Sequence, residues 1–207
     1  MENKDKYSIQ NIQAQQLDSW LDFVVKCFSE KSNPPSKHYF HRHILNDQNF
    51  DLNDIWVLVD SETQEYLSTI KLVPRHHYLD GKVYSGVGLA EVCTKKECRG
   101  GGLGGKILNF VVDLIKKASK YQLSILFAGP QVNQFYSKRG YQNLQERKLL
   151  IKLKEAKKEG ALQSVKKVTE IGEGEAEQLA QLHAQMSVHF KLAFNVFRDK
   201  QYFLRWV

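Results

Sequence analysis

Cysteine is scarce in this chain: Cys27, Cys93 and Cys98 are the whole complement, and no two of them form a CxxC pair. An odd count without paired spacing argues against a disulfide framework or a zinc site, so free thiols and no metal are expected. No run of eighteen apolar residues occurs, so no membrane span is expected. The opening Met1-Glu2-Asn3-Lys4-Asp5-Lys6 lacks the apolar segment of a secretory signal. A cytoplasmic location is the expectation that follows. Aromatic residues are sparse where the chain is most basic, around Lys148, Lys152, Lys154, Lys157, Lys158, Lys166 and Lys167. The net charge of +7 therefore reads as a solvated basic surface rather than a base-stacking nucleic-acid site.

Against these absences stands Arg99-Gly100-Gly101-Gly102-Leu103-Gly104-Gly105-Lys106, set between a strand-like run and an amphipathic helix. Glycine weakens any regular element it enters, so such a run suits a tight turn that brings backbone N–H groups against a bulky anion. The helix that follows carries about half a positive charge at its N-terminus, which favours phosphate. A Walker-type loop would need Ser or Thr after Lys106, and the chain has Ile107. A dinucleotide fingerprint would need an acid at the end of the next strand. That strand, Leu123-Ser124-Ile125-Leu126-Phe127-Ala128-Gly129, has none.

Periodicity orders the elements. A strand is expected from Tyr7 to Ile12, a helix from Gln13 to Phe28, and a second helix capped by Ser36. Strands follow at Ile55 to Val59, Tyr66 to Val73 and Val83 to Thr94. Ile107, Leu108, Val111, Leu114, Ile115 and Ala118 line one face of the next helix. A strand from Leu123 to Ala128, a short helix from Gln131 to Ser137 and a last strand within Leu144 to Leu153 complete the pattern. His76 and His77 fall in an expected turn and read as a surface pair, with the acceptor cleft as the alternative. These patterns alone support an α/β domain.

Arg99-x-x-Gly102-x-Gly104, entered from a strand and leaving into a helix, resembles the acyl-CoA loop of the GNAT-type N-acetyltransferase superfamily. Glu91-Val92-Cys93-Thr94-Lys95-Lys96-Glu97-Cys98 resembles the cofactor strand of that family. Phe135-Tyr136-Ser137-Lys138-Arg139-Gly140-Tyr141 resembles its second signature. The resemblance implies a GNAT-like mixed central sheet flanked by helices on both faces, with a C-terminal extension. It implies an acetyl-CoA-dependent N-acetyltransferase in which a primary amine attacks the thioester directly. The acceptor would be a small molecule or a protein amine. A non-catalytic acyl-CoA-binding or interaction module with the same fold is the alternative.

By that resemblance, the backbone of Val92, Cys93 and Thr94 would hold the pantetheine arm. Gly100, Gly101, Gly102, Leu103, Gly104 and Gly105 would surround the pyrophosphate, with Arg99 entering the turn. Tyr136 would protonate the leaving thiolate, and Glu91 or a water would take the proton of the amine. Trp20, His38, Tyr39, Phe40, His41 and His43 would line the acceptor cleft or pack on the sheet. One departure is Gly129, where many members carry an asparagine. Residues 1–154 form the expected GNAT-like domain. Residues 155–207 read as a linker plus a strand and a helix carrying Ala176, Leu179, Leu182 and Met186. They resemble the opening of a second GNAT-like domain, as in the enhanced-intracellular-survival group.

Overall fold

A computed structural model describes residues 5–30, 32–144, 170–189 and 195–206. The strands are β1 (Tyr7–Asn11), β2 (Ile55–Asp60), β3 (Tyr66–Leu79), β4 (Lys82–Thr94), β5 (Leu123–Ile125) and β6 (Asn195–Val196). The helices are α1 (Leu17–Phe28), α2 (Lys37–Leu45), α3 (Leu103–Lys117), α4 (Asn133–Ser137), α5 (Glu173–His189) and α6 (Lys200–Trp206). They build one mixed sheet in the order β1-β2-β3-β4-β5, with β6 added to the second half of β3. The first four strands are antiparallel neighbours, and β5 runs parallel to β4.

Alternation along β2 shows why helices cover both faces. Ile55, Val57 and Val59 point into a cluster with Trp20, Leu21 and Val24 of α1 and Phe40 and Ile44 of α2. Leu58 points the other way, to Ile107, Leu108, Val111 and Ile115 of α3. A strand buried on both faces must be apolar at consecutive positions, which is how Ile55-Trp56-Val57-Leu58-Val59 reads. Ser36 caps α2 as expected, its hydroxyl accepting from the Tyr39 N–H at 3.1 Å. Trp20 is fully buried, and its indole donates to Thr69 Oγ1 at 2.9 Å, which in turn donates to the Trp56 carbonyl. That chain leaves no polar atom of the large side chain unsatisfied under the sheet.

Three expectations change. β3 does not stop at Val73 but runs through Pro74 to Leu79. Proline is tolerated because β2 releases β3 at Lys71 and β6 joins only at His77, so among the described residues no strand pairs with Pro74 on that edge. His76 and His77 therefore lie in a strand, and His77 is 4% exposed rather than part of a surface pair. β5 ends at Ile125, earlier than Ala128, for a reason that belongs to the site. In α5 the expected apolar face is only partly used: Ala176 is buried, while Leu182 and Met186 are exposed. The expected strand within Leu144 to Leu153 and the basic stretch from Lys148 to Lys167 lie outside the described residues, Leu144 excepted.

The tail is fastened to the domain. The Phe197 N–H donates to the His76 carbonyl at 2.9 Å, and Phe197 stacks near Tyr78, with centroids 5.7 Å apart. Asn46, just past α2, donates to the Arg205 carbonyl at 3.0 Å, and Gln48 donates to Asp199 at 2.8 Å.

Asp54, ahead of β2, has its pKa pushed up to about 6 by burial, with Asp51 adding repulsion and Lys120 opposing it. Its folded value lies above its unfolded one. The stability associated with the neutral acid is therefore complete below pH 3.8 and lost as pH rises to about 6. The full shift corresponds to about 3 kcal/mol, and partial solvent contact reduces that to roughly 1 kcal/mol. Asp54→Asn should accordingly raise the urea midpoint at pH 7 and leave it unchanged near pH 4. Equal gains at both pH values would remove the electrostatic cause.

Candidate active site

β4 and β5 pair only from Gly86↔Leu123 to Gly88↔Ile125, and then they part. From Leu89 to Thr94 the edge of β4 that faced β5 has no strand beside it among the described residues. On its other edge a bulge interrupts the ladder: Lys71 pairs with Ala90 and Thr69 with Cys93, so Glu91 and Val92 share one opposing residue. Glu91 adopts φ +45°, a left-handed conformation that is strained for a non-glycine residue by about 1–3 kcal/mol. Beyond the bulge, the Cys93 carbonyl accepts from Ser68 Oγ at 2.8 Å and the Lys95 N–H donates to the Leu67 carbonyl at 2.8 Å. Both residues thus turn toward β3, and strand alternation turns the backbone of Val92 and Thr94 toward the opened side. The Thr94 carbonyl there accepts from Arg99 Nε at 3.1 Å.

The glycine loop follows. Gly100 and Gly102 adopt φ +81° and +80°, and a Cβ on either would meet nothing within 4 Å. Gly102 caps α3, and helix geometry leaves the N–H groups of Leu103, Gly104 and Gly105 without an intrahelical acceptor. An open, left-handed turn at a helix N-terminus, beside an unpaired strand edge, fits the diphosphate and amide groups of an acyl-CoA. The other two glycines have a packing reason that the sequence does not announce. A Cβ at Gly104 would lie 2.8 Å from Thr94 Oγ1, and one at Gly105 would lie 2.5 Å from an Arg139 Nη atom.

Arg99 does not face the turn. Its guanidinium bridges Glu30 at 3.0 Å and the Cys27 carbonyl at 3.4 Å, tying the end of α1 to the end of β4. A cavity of about 340 Å³ lies beside this clamp, lined by residues that include Phe23, Cys27, Glu30, Tyr66 and Arg99. Cys27 and Cys93 are both half-buried.

Glu91 is enclosed: its side chain is 7% exposed and lies 3.3 Å from the equally buried Lys71. Burial pushes its carboxyl pKa up, against the pull of the Lys71 ammonium. Lys71 also lies near His43 of α2, whose pKa is lowered first by burial and then by that charge. Val92 and Tyr136 pack on the opposite, α3-side cluster. Tyr136 stands between Phe135 and Tyr141, with ring centroids 5.0 and 6.0 Å away. Its pKa is raised by burial and by Tyr141. The two tyrosines differ in one respect. The Tyr141 hydroxyl is engaged with Ser124 Oγ at 2.7 Å, whereas that of Tyr136 has no hydrogen-bond partner among the described residues.

Arg139 was not singled out by its sequence. It donates to Asn109 at 2.6 Å and to the Phe135 carbonyl at 2.5 Å, and lies 4.6 Å over the Phe135 ring. It locks α4 onto α3 and so sets where Tyr136 stands. A lone arginine before Gly140 reads as a solvated turn residue. Lys71 carried a better signal, a charge inside the apolar run Ile70-Lys71-Leu72. No group of three or more metal-ligating side chains able to hold an ion occurs among the described residues. No described helix is long and apolar enough to cross a membrane.

A family profile described as "Acetyltransferase (GNAT) domain" matches residues 8–144. The chain belongs to the GNAT acetyltransferase family. The match spans the splayed strands, the glycine loop and Tyr136. Solved GNAT-like structures agree in fold. Glucosamine-6-phosphate N-acetyltransferase from Arabidopsis thaliana is 17% identical at a TM-score of 0.52, covering 71% of this chain and 99% of that one. A GCN5-related N-acetyltransferase from Anabaena variabilis is 16% identical at a TM-score of 0.51, covering 64% of this chain and 31% of that one. N-myristoyltransferase from Saccharomyces cerevisiae, solved with bound myristoyl-CoA, is 12% identical at a TM-score of 0.62. That likeness covers 99% of this GNAT chain, which spans 51% of the yeast protein. No curated protein matches the sequence at comparable significance. Membership of the GNAT acetyltransferase family supports an acyltransferase activity.

Proposed function

We propose that this GNAT protein is an acetyl-CoA-dependent N-acetyltransferase acting on a primary amine. The observation that carries the reading is the edge of β4 that has no strand partner beyond Gly88 among the described residues, leading through one short turn to the left-handed glycines at the start of α3. Bound acetyl-CoA would supply a thioester, an activated acyl group with a thiol to leave. Val92 presents backbone groups for the pantetheine amides, and the N–H groups from Gly100 to Gly105 face the diphosphate. Cys93 contributes to this strand with its carbonyl turned to Ser68, and Thr94 with its hydroxyl against the helix start.

Glu91 takes the proton of the incoming amine, directly or through a water. Its raised pKa brings it closer to the proton affinity a base needs near neutral pH. The Tyr136 hydroxyl delivers a proton to the departing sulfur. The strain at Glu91 supports a functional reading, because left-handed non-glycine residues persist where the surroundings enforce them. The tail, residues 155–207, is proposed as the opening of a second GNAT-like unit. Support comes from the yeast likeness, which extends over the tail, whereas the plant likeness covers only 71% of the chain.

Calorimetric titration tests the reading. Acetyl-CoA and CoA should both bind and ATP should not, and addition of amine acceptors should then release free thiol. Binding without release for any amine would favour the non-catalytic module, to which the enclosure of Glu91 by Lys71 lends its own support. No binding of either CoA species would overturn both.

A further inference from the structure

The two charges that meet at the β4 bulge are incompletely satisfied. Lys71 Nζ lies 3.3 Å from Glu91 Oε2, and the side chains are 4% and 7% exposed. Apart from that contact, Glu91 Oε2 is buried without a hydrogen-bond partner among the described residues. Lys71 is no better served, for no second carboxylate of the described residues lies within ion-pair distance of its ammonium. Asp47, another deeply buried carboxylate, is already taken by Arg75 at 2.7 Å. His43 on α2 is held toward its neutral form by burial and by the charge of Lys71, and it brings no negative charge. Buried polar groups in folded proteins are normally hydrogen-bonded. A pair left open in this way, on the strand that has parted from β5, keeps bonding capacity for a ligand.

Proton transfer to Glu91 worsens the position of Lys71. In acetyl transfer the amine nitrogen bonds to the thioester carbon and the C–S bond breaks. One proton passes from nitrogen to Glu91 and one from Tyr136 to sulfur, and solvent later resets both side chains. While Glu91 is neutral, Lys71 is a buried ammonium with no counter-charge among the described residues. An unpaired buried charge is costly. An acceptor that brings its own anion to Lys71 is therefore favoured at that step.

We propose that Lys71 selects the acceptor, and that the acceptor is a small α- or β-amino acid with a free carboxylate. Its amine faces Glu91 and its carboxylate takes the open donors of Lys71, so that positive and negative groups alternate around the site. The 3.3 Å between Nζ and Oε2 sets the span, and an amine and an anion one or two carbons apart engage both. A protein lysine has no anion so close to its side-chain amine. A peptide N-terminus carries a neutral amide at that place, and a simple alkylamine leaves Lys71 uncompensated. The inference rests on the N-acetyltransferase reading with Glu91 as the base.

The experiment is free-thiol release from acetyl-CoA by the purified full chain. A panel of α- and β-amino acids is set against the matching amino-acid amides, alkylamines and lysine peptides, at equal concentrations of neutral amine. For the preferred amino acid, kcat/KM should exceed that of its amide by at least about 30-fold, the lower end of what an unpaired buried charge costs. Lys71→Met should bring that ratio down to about one or below, and Lys71→Arg should keep most of it. Because the ratio is taken within one variant, a general loss of stability does not imitate the result. Amides, alkylamines or lysine peptides turned over as well as the amino acids, or better, would overturn the selection by Lys71 and leave the acetyltransferase reading standing. So would a preference that survives in Lys71→Met. Release with no amine of any kind would overturn that reading and this inference with it.

Discussion

Replacing Tyr136 with Phe should lower kcat for acetyl transfer about 100-fold, the lower end of what a positioned general acid contributes, and leave acetyl-CoA affinity within about twofold. The substitution deletes one oxygen from a ring that keeps its contacts with Phe135 and Tyr141. Fold and cofactor site are therefore untouched, and the loss falls on the step in which the sulfur departs. The Tyr141 hydroxyl cannot take over, because it is held by Ser124 at 2.7 Å. Steady-state kinetics beside calorimetric titration make the measurement. A loss in KM with kcat preserved would make Tyr136 a packing residue of the cofactor wall.

Glu91→Gln should reduce kcat by about 100-fold or more and also change the shape of the pH profile. Burial raises the carboxyl pKa, so the acid limb of kcat/KM in the parent should lie above the value of an ordinary glutamate, about 4.3. The amide has no such titration, and the limb should disappear. Because Lys71 loses its counter-charge, some loss of stability is expected as well. The pH profile separates the two effects, since a merely destabilised enzyme keeps its limb. A variant with parental kcat and an intact limb would hand the proton to water alone.

Much of the architecture is legible in the sequence because it is local. Ser36 announces its helix through a side-chain cap, and the apolar stripe from Ile107 to Ile115 announces α3. The glycine turn and the Phe135–Tyr141 signature lie in the order the family uses. What was not legible depends on contacts between distant segments. Leu126 to Ala128 look like strand, yet the divergence of β5 from β4 removes their partner, and no residue among them records that. Pro74 argues for a strand end wherever both edges are paired, and here no described strand pairs with one edge at that position. Glu91 reads as an exposed strand acid until Lys71 is placed beside it. Four of the loop glycines divide by cause, two for conformation and two for the close approach of Thr94 and Arg139.

β3 lends its outer edge to two parts of the chain, β2 along Tyr66 to Lys71 and β6 at His77 and Tyr78. The first pairing closes a short loop, and the β3–β4 hairpin turns at Asp80 and Gly81. The second brings Val196 back to His77 across more than half of the sequence, so its closure entropy far exceeds that of the hairpin. Contacts of such large sequence separation are the kind that slow folding. Chains are synthesised from the N-terminus, and the hairpin, the bulge at Glu91 and the glycine turn are all translated before Phe197. The segment that carries the candidate site is therefore complete in the nascent chain before the strand that pairs with His77 exists.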